Sequence, residues 1–557
     1  MSKIKKGVTT LFSQGPVAVL KKVRDKCNEK KKIRDFQKEV KDIHIITPKQ
    51  REYQKEKNFE NPVKFSIITP LYNTPKDYLL ELIQSMERQT YSNWELCLAD
   101  GSDDQHQYMR KICEQWCKKD KRIVYSVLPE NKGISLNTNA CIELSSGQYF
   151  GLLDHDDVLH ESALYEMMSE IEQTNADFLY SDEVKFSKKI EDAVDFNFKP
   201  GFGKDELRSH NYICHFTVFS RTLLEKVGQV YRPEFDGSQD HDMVLRLTEK
   251  ASKIVHVPKV LYYWRVHPES VSMNLDAKSY AVDAAIRAVQ EQLEREKEYG
   301  KVASNLPYRT IYRIKYEIDV ENCVTIAVHN LETVEDFERY KEKILAITSY
   351  SNVKFVPVYN ESDQNWGKAL NAILNQMMTD YFIIMDSQCV PVNSDWIEEM
   401  LMFAQRRDVA LVSPKVLYQN DTIAYAGIAV DKNKKDKIRF LCQGIPDSEQ
   451  GYEAILRYVR NTTGVWKGCF MISKETFLNV GGFNEDMSKY EDVDLSLEAI
   501  KKGYINVWTC FAKIRYCKDS IDDFANGDTE KFVTKWNDDI LKNDPYYHNN
   551  WEKFKLV

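Results

Sequence analysis

Three carboxylates crowd four residues in the stretch YFGLLDHDDVLHESAL, residues 149 to 164: Asp154, Asp156 and Asp157, with His155 among them. Like charges this close repel one another and cost desolvation unless a positive group sits among them. A hard divalent cation, Mg²⁺ or Mn²⁺, meets that need, because it takes oxygen ligands and keeps positions open for phosphate oxygens. The plainer reading is that Asp156 or Asp157 caps the helix beginning near Glu161. One aspartate suffices for a cap, and three at the end of an apolar strand point to the metal. A second acidic group lies in DGSQDHDMVLRL, where apolar spacing after Asp242 marks a helix with Gln239 and Asp240 at its start. A carboxylate there either caps the helix or takes a proton from a substrate hydroxyl. His267, in YYWRVHPESVS, is either a structural residue or a metal ligand, since imidazole binds Mn²⁺ beside carboxylates.

These residues need a scaffold, and the flanking pattern supplies one. From residue 62 onward, apolar strand candidates KFSIITP, WELCLAD, RIVYSVL, YFGLLD and ADFLYSD appear in order. Between them lie segments of helical spacing such as PKDYLLELIQSMERQ and ESALYEMMSEIEQ. Strands alternating with helices predict an α/β fold with a mostly parallel sheet. Ligands of such sheets bind beyond the carboxyl ends of the strands, where Asp100 and Asp154 both fall.

The pattern then repeats. NKGISLNTNACI is echoed by NWGKALNAILNQ, YFGLLDHDD by YFIIMDSQC, SRTLLEKVGQ by SKETFLNVGG, and GSQDHDMVLRLTEK by KYEDVDLSLEAIKKG. Four matched blocks in one order indicate duplication of a whole domain. The predicted organisation is a basic, helical extension (1–61), a first domain (62–275), a helical linker (276–320), a second domain (321–525) and a C-terminal tail (526–557).

Composition narrows the partners. A net charge of -8 over 557 residues argues against nucleic acid. The first 64 residues nevertheless carry an excess of about ten positive charges. Leu, Val and Phe are interspersed among those lysines, so the segment is either a solvated extension or a contact with an anionic membrane surface. The twelve cysteines form no C-x-x-C pair and read as reduced core residues. No apolar run reaches the ~20 residues of a membrane span, and no signal peptide is seen. A cytoplasmic protein, or one peripheral on the inner face of the cell membrane, is expected.

FSIITPLYN, LADGSDD, NKGISLNTN, LLDHDD, GSQDHD and YYWRVHPESVS occur in the order seen in glycosyltransferase family 2, and residues 62 to 275 resemble those inverting enzymes of GT-A fold. The resemblance implies tandem GT-A domains, a nucleoside-diphosphate sugar donor, a glycan or polyprenyl-linked acceptor, and Mn²⁺ or Mg²⁺ as cofactor. It implies that Thr69, Pro70 and Tyr72 border the nucleotide base and that Asp100 binds base or ribose. Gly133 would admit the nucleotide close to the backbone. Asp154 and Asp156 match the D-x-D motif, with Asp154 also at the nucleotide sugar. His267 matches a histidine of the metal site, and Asp240 matches the catalytic base. Gln239 departs from the usual Glu-Asp pair.

The second copy keeps Glu491 and Asp492 but has Asp386, Ser387 and Gln388 at D-x-D. Tyr359 replaces a nucleotide aspartate, and Tyr516 or Cys517 stands for the late histidine. It reads as a degenerate domain that binds acceptor or stabilises the first. The alternatives are a two-site glycan polymerase and a non-catalytic glycan-binding scaffold.

Overall fold

The structure is a computed structural model that describes residues 43–193, 195–267, 279–359, 366–431, 433–521, 524, 527–536 and 544–557. Most of the basic extension, and with it the expected membrane contact, lies outside the described residues. So does the end of the late signature, Pro268 to Ser272.

Packing divides the chain into two units. One comprises the residues up to Phe198, His215–Val230 and Lys250–Leu275; the other comprises Lys199–Cys214, Tyr231–Glu249 and the chain from Asp276 onward. The first unit holds a nine-stranded sheet of β1 (Phe65–Leu71), β2 (Trp94–Asp100), β3 (Ile123–Val127), β4 (Tyr149–Leu152), β5 (Val158–Leu159), β6 (Phe178–Phe186), β7 (Asp195–Asn197), β8 (Thr217–Ser220) and β9 (Ile254–Arg265). The strand order is β3-β2-β1-β4-β8-β6-β9-β5, with β7 paired to β6. β1 runs parallel to β2 and β4, and β6 to β9, while β8 is antiparallel to both neighbours. All seven residues of β1 and of β2 are buried, as expected for parallel strands covered on both faces. The predicted helices form as Lys76–Glu87 and Ala163–Thr174. Leu79, Leu82, Ile83 and Met86 on the first, and Leu164, Met167, Met168 and Ile171 on the second, recur at helical spacing and enter one core with Phe65, Leu96 and Trp94. Gly151 is required in mid-strand: a Cβ there would sit 2.7 Å from the Phe216 ring and 2.8 Å from Ile67.

Glu95 pins the end of the sheet opposite the acidic turn. Its buried carboxylate accepts hydrogen bonds from Lys64 Nζ (2.5 Å), Ser66 Oγ (2.6 Å) and the Ser146 backbone N–H (2.5 Å). Burial works to raise this carboxyl, but the hydrogen bonds outweigh it and hold it at about 2. A folded value below the unfolded 4.5 stabilises the fold above about pH 4.5, and that stabilisation disappears as pH falls towards 2. Glu95→Gln is therefore expected to cost about 2–3 kcal/mol at pH 7, with the difference from wild type closing between pH 4.5 and 2. Urea unfolding across that range measures it; a pH-independent difference would refute the assignment.

The predicted helical linker is helical only in its first part. Helix Ser279–Glu296 is followed by an antiparallel hairpin, β10 (Gly300–Asn305) and β11 (Tyr308–Tyr316). The stretch YRTIYRIKY alternates apolar and polar residues with period two, which suits a strand. The second repeat follows: β12 (Val324–Leu331), β13 (Val353–Tyr359), β14 (Tyr381–Asp386), β15 (Cys389–Pro391), β16 (Val409–Leu417), β17 (Ile423–Tyr425), β18 (Ile428–Val430), β19 (Ile438–Phe440), β20 (Arg460–Asn461), β21 (Cys469–Ser473) and β22 (Ile505–Tyr516). Its main sheet runs β13-β12-β14-β21-β16-β22-β15. The duplication extends to register. Phe65 pairs with Trp94 and Tyr149, as Val324 pairs with Val353 and Tyr381. Tyr149 faces Ser220 as Tyr381 faces Ser473.

Buried ion pairs explain why Lys199–Cys214 belongs to the second unit. On helix Lys204–Ser209, Asp205 pairs with Arg406, and Arg208 reaches Glu298 (2.6 Å) and the Tyr316 hydroxyl (2.8 Å). The tail also folds onto this unit: Trp536 Nε1 donates to Asp494 (2.8 Å), and Asp544 accepts from Thr463 Oγ1 (2.6 Å).

Candidate active site

The four side chains of the acidic turn after β4 meet different partners. Asp157 points inward and is buried; it accepts from the Tyr262 hydroxyl and the Arg265 backbone N–H, both at 2.6 Å. Burial, with Asp156 and Asp154 adding to it, pushes the Asp157 carboxyl well above its ordinary value. Arg265 closes the turn from behind, donating to the Asp156 carbonyl (2.6 Å) and pairing with Glu81. His155 meets Thr74 Oγ1 at 2.7 Å. Asp156 Oδ2 lies 2.9 Å from His267 Nε2. Asp154, whose side chain is 51% exposed, lies 3.4 Å from His215 Nε2. Desolvation works to raise the Asp154 carboxyl, but the hydrogen bond and charge of His215 outweigh it and hold it below its ordinary value.

Of the three clustered aspartates, then, one is structural and two each meet an imidazole. Oxygen and nitrogen atoms of Asp154, Asp157 and His215 all lie within 4.8 Å of one another. Sequence reasoning missed His215. It sits just before β8, opposite Asp154 when the β4–β8 register is continued beyond Gly151 and Val218. Its ring stacks on Tyr262 (4.6 Å between centroids), and its Nδ1 lies 3.4 Å from Glu183. Only the strand pairing reveals it.

The residues expected at the nucleotide lie at neighbouring strand ends of the same unit. Thr69 and Pro70 are buried in β1, and Thr69 Oγ1 is a buried hydroxyl without a hydrogen-bond partner. Tyr72, just past the strand, is exposed. Asp100 ends β2; it accepts from Ser102 N–H (2.9 Å) and from the Tyr125 hydroxyl (2.7 Å). Gly133 precedes helix Ile134–Glu143 with φ 87° and ψ 172°, a conformation open essentially to glycine alone. Asn131 Oδ1 accepts the Gly133 N–H (3.0 Å), fixing that loop.

Asp240 belongs to the other unit, at the start of helix Gln239–Lys250. It is part-buried and accepts from the Tyr231 hydroxyl and, at 3.2 Å, from Gln239 Nε2. Its neighbour Asp242, in the first turn of the helix, is buried between Arg232 and Arg246.

In the second copy, Asp386 occupies the place of Asp154 and accepts from Gln388 N–H (2.7 Å) and Asn330 Nδ2 (3.3 Å). Glu491 and Asp492 are buried, and both Asp492 oxygens are taken by backbone N–H groups, of Lys467 (2.6 Å) and Val493 (2.8 Å). One expectation needs correcting. Val158 pairs with Tyr263 as Val390 pairs with Arg515, so Tyr516 and Cys517 match Trp264 and Arg265. The counterpart of His267 is the exposed Asp519. The sequence alone aligned the wrong residues because the chemistry of the signature, not its distance from the strand, had guided the match.

The family model for Glycosyl transferase family 2 matches residues 66–228 and 332–466, more than half of the chain. The chain belongs to that family, and each repeat carries the parallel-rich α/β sheet expected of a GT-A domain. Among curated relatives, Uncharacterized protein y4gI of Sinorhizobium fredii is 31% identical over 493 residues, which cover 82% of this chain and 53% of that protein. O-antigen biosynthesis protein RfbC of Myxococcus xanthus is 27% identical over 477 residues, covering 81% of this chain and 37% of its own length. The chain thus spans about half or less of the length of these two relatives. Among solved structures, S. aureus TarS 1-349 shares 19% identity with a TM-score of 0.34, over 41% of this chain and 65% of that one.

Proposed function

We propose that this chain is a metal-dependent, inverting hexosyl- or deoxyhexosyltransferase. It would move a sugar from a nucleoside-diphosphate sugar to a hydroxyl of a glycan or polyprenyl-linked acceptor, in the synthesis of bacterial surface polysaccharide such as O-antigen, capsule or cell-wall glycan. Family membership and the name of the RfbC relative support this reading. The observation that carries it is the sorting of the acidic turn, which frees Asp154 and Asp156 for a ligand and sets an imidazole beside each.

Asp154 beside His215 and Asp156 beside His267 are two carboxylate–imidazole pairs, either of which could supply ligands to Mn²⁺, and their carboxylates could supply ligands to Mg²⁺. Such an ion, when bound, neutralises charge developing on a diphosphate leaving group. Thr69, Pro70 and Tyr72 border the base; the Thr69 hydroxyl, buried and unpartnered, is a ready hydrogen-bonding group. Asp100, oriented by Tyr125, takes the base or ribose, and Gly133 leaves room for the nucleotide at the backbone. Asp240 is the base: it takes the proton of the acceptor hydroxyl, whose oxygen attacks the anomeric carbon opposite the leaving group, inverting the configuration.

For the second copy, burial of Asp492 and replacement of the second D-x-D carboxylate by Gln388 support an acceptor-binding or stabilising role. Asp519 at the place of His267, with Asp386, Glu491 and Asp492 retained, is what favours a second active site. A panel of UDP-, dTDP- and GDP-sugars, read by release of nucleoside diphosphate, tests the main reading. Release from one donor class, dependent on Mn²⁺ or Mg²⁺ and on acceptor, is expected. Turnover insensitive to chelator, or no donor consumed with a matched acceptor extract, would overturn it.

A further inference from the structure

Lys415 and Lys513 lie side by side on the neighbouring parallel strands β16 and β22. Like charges directly opposite in a sheet are destabilising. Here both ammonium groups converge on one carboxylate, Lys415 Nζ on Asp447 Oδ1 (2.9 Å) and Lys513 Nζ on Asp447 Oδ2 (2.8 Å). Arg457 adds a third cation, its Nη1 3.8 Å from the same carboxylate. The Lys415 side chain is 1% exposed, and burial holds its ammonium below the ordinary value. Three cations therefore share the Asp447 carboxylate, an excess of about two positive charges.

The second observation is independent of charge. The Nε–H of Arg457 is a buried donor without a hydrogen-bond partner. Buried donors are rarely left so, and an acceptor that satisfies it is the ordinary explanation. Guanidinium and ammonium donors with a double positive excess match a tetrahedral dianion better than a single carboxylate.

We propose that the second repeat binds a phosphate-type oxyanion at Lys415, Lys513 and Arg457. The ligand is a phosphate monoester or diphosphate group, carried by a soluble sugar phosphate or by a lipid. The site lies wholly within the second repeat and does not depend on the transferase reading.

Equilibrium dialysis of the full chain against radiolabelled inorganic phosphate, in EDTA, tests it. Wild type is expected to bind about one phosphate saturably. Lys513→Gln and Arg457→Gln each weaken binding at least about tenfold, Lys513→Arg retains it, and Asp156→Ala leaves it unchanged. Co-sedimentation with phosphatidylcholine vesicles, with and without phosphatidic acid, separates the sources. Sedimentation that needs phosphatidic acid and is lost in Lys513→Gln assigns a lipid phosphate; phosphate binding without it assigns a soluble ester. No saturable phosphate binding by wild type, or equal binding in Lys513→Gln and Arg457→Gln, overturns the proposal. Because the readout is binding without metal, failure here leaves the transferase reading standing, and failure of the donor panel leaves this site standing.

Discussion

Asp156→Ala is expected to lower metal-dependent transfer by at least about 100-fold and to weaken Mn²⁺ binding, while leaving the fold intact. The size follows from the leaving group: losing about 3 kcal/mol of charge stabilisation on the diphosphate is about a hundredfold in rate. Stability is spared because the inward carboxylate of the turn is Asp157, which holds Tyr262 and Arg265, whereas the Asp156 side chain meets His267. Asp157→Ala is the contrasting variant: it leaves a buried phenol and a backbone N–H without their acceptor, so it loses stability first. Mn²⁺ titration followed by electron paramagnetic resonance, thermal melting and turnover separate the two outcomes. Unchanged Mn²⁺ affinity in Asp156→Ala would remove this residue from the metal site.

Asp240→Asn is expected to reduce transfer about 10²- to 10⁴-fold, the usual worth of a general base, whereas Asp492→Asn changes it little. Asparagine keeps the size of aspartate but accepts no proton at neutral pH. The two aspartates stand at matching places in their repeats and in unlike surroundings. Asp240 is part-buried and receives a phenol and a side-chain amide. Asp492 is buried, its oxygens are spent on two backbone N–H groups, and burial, with Glu491 adding, pushes its carboxyl up to about 7. A carboxylate whose two oxygens are held by backbone N–H groups is poorly placed to receive an acceptor proton. Product linkage analysis decides the matter: loss of one distinct linkage in Asp492→Asn, with the protein folded, would show two working sites, and Asp519 would then be the first residue to examine.

What could be read from the chain beforehand was local. Runs such as FSIITPL and WELCLAD are mostly apolar because parallel strands are covered on both faces, and the 3.6-residue spacing of Leu79, Leu82, Ile83 and Met86 marks one buried helix stripe. Repeated blocks disclosed the duplication, and the register of both sheets follows it. The acidic turn was visible for the same reason, since its carboxylates are close in sequence. Whatever depended on pairing between distant segments was not. His215 joins Asp154 across the antiparallel β4–β8 pair, and Asp519 replaces His267 because of where β15 meets β22. Three chemically identical aspartates, two turned out and one turned in, are sorted only by what packs behind them: Tyr262 and Arg265 arrive more than a hundred residues later. The assignment of Lys199–Cys214 to the second unit likewise waits on Asp205 meeting Arg406, 201 residues away. Periodicity and composition act within a turn or a strand, whereas the direction of a side chain and the partner of a buried charge are set by neighbours that the chain brings together only when it folds.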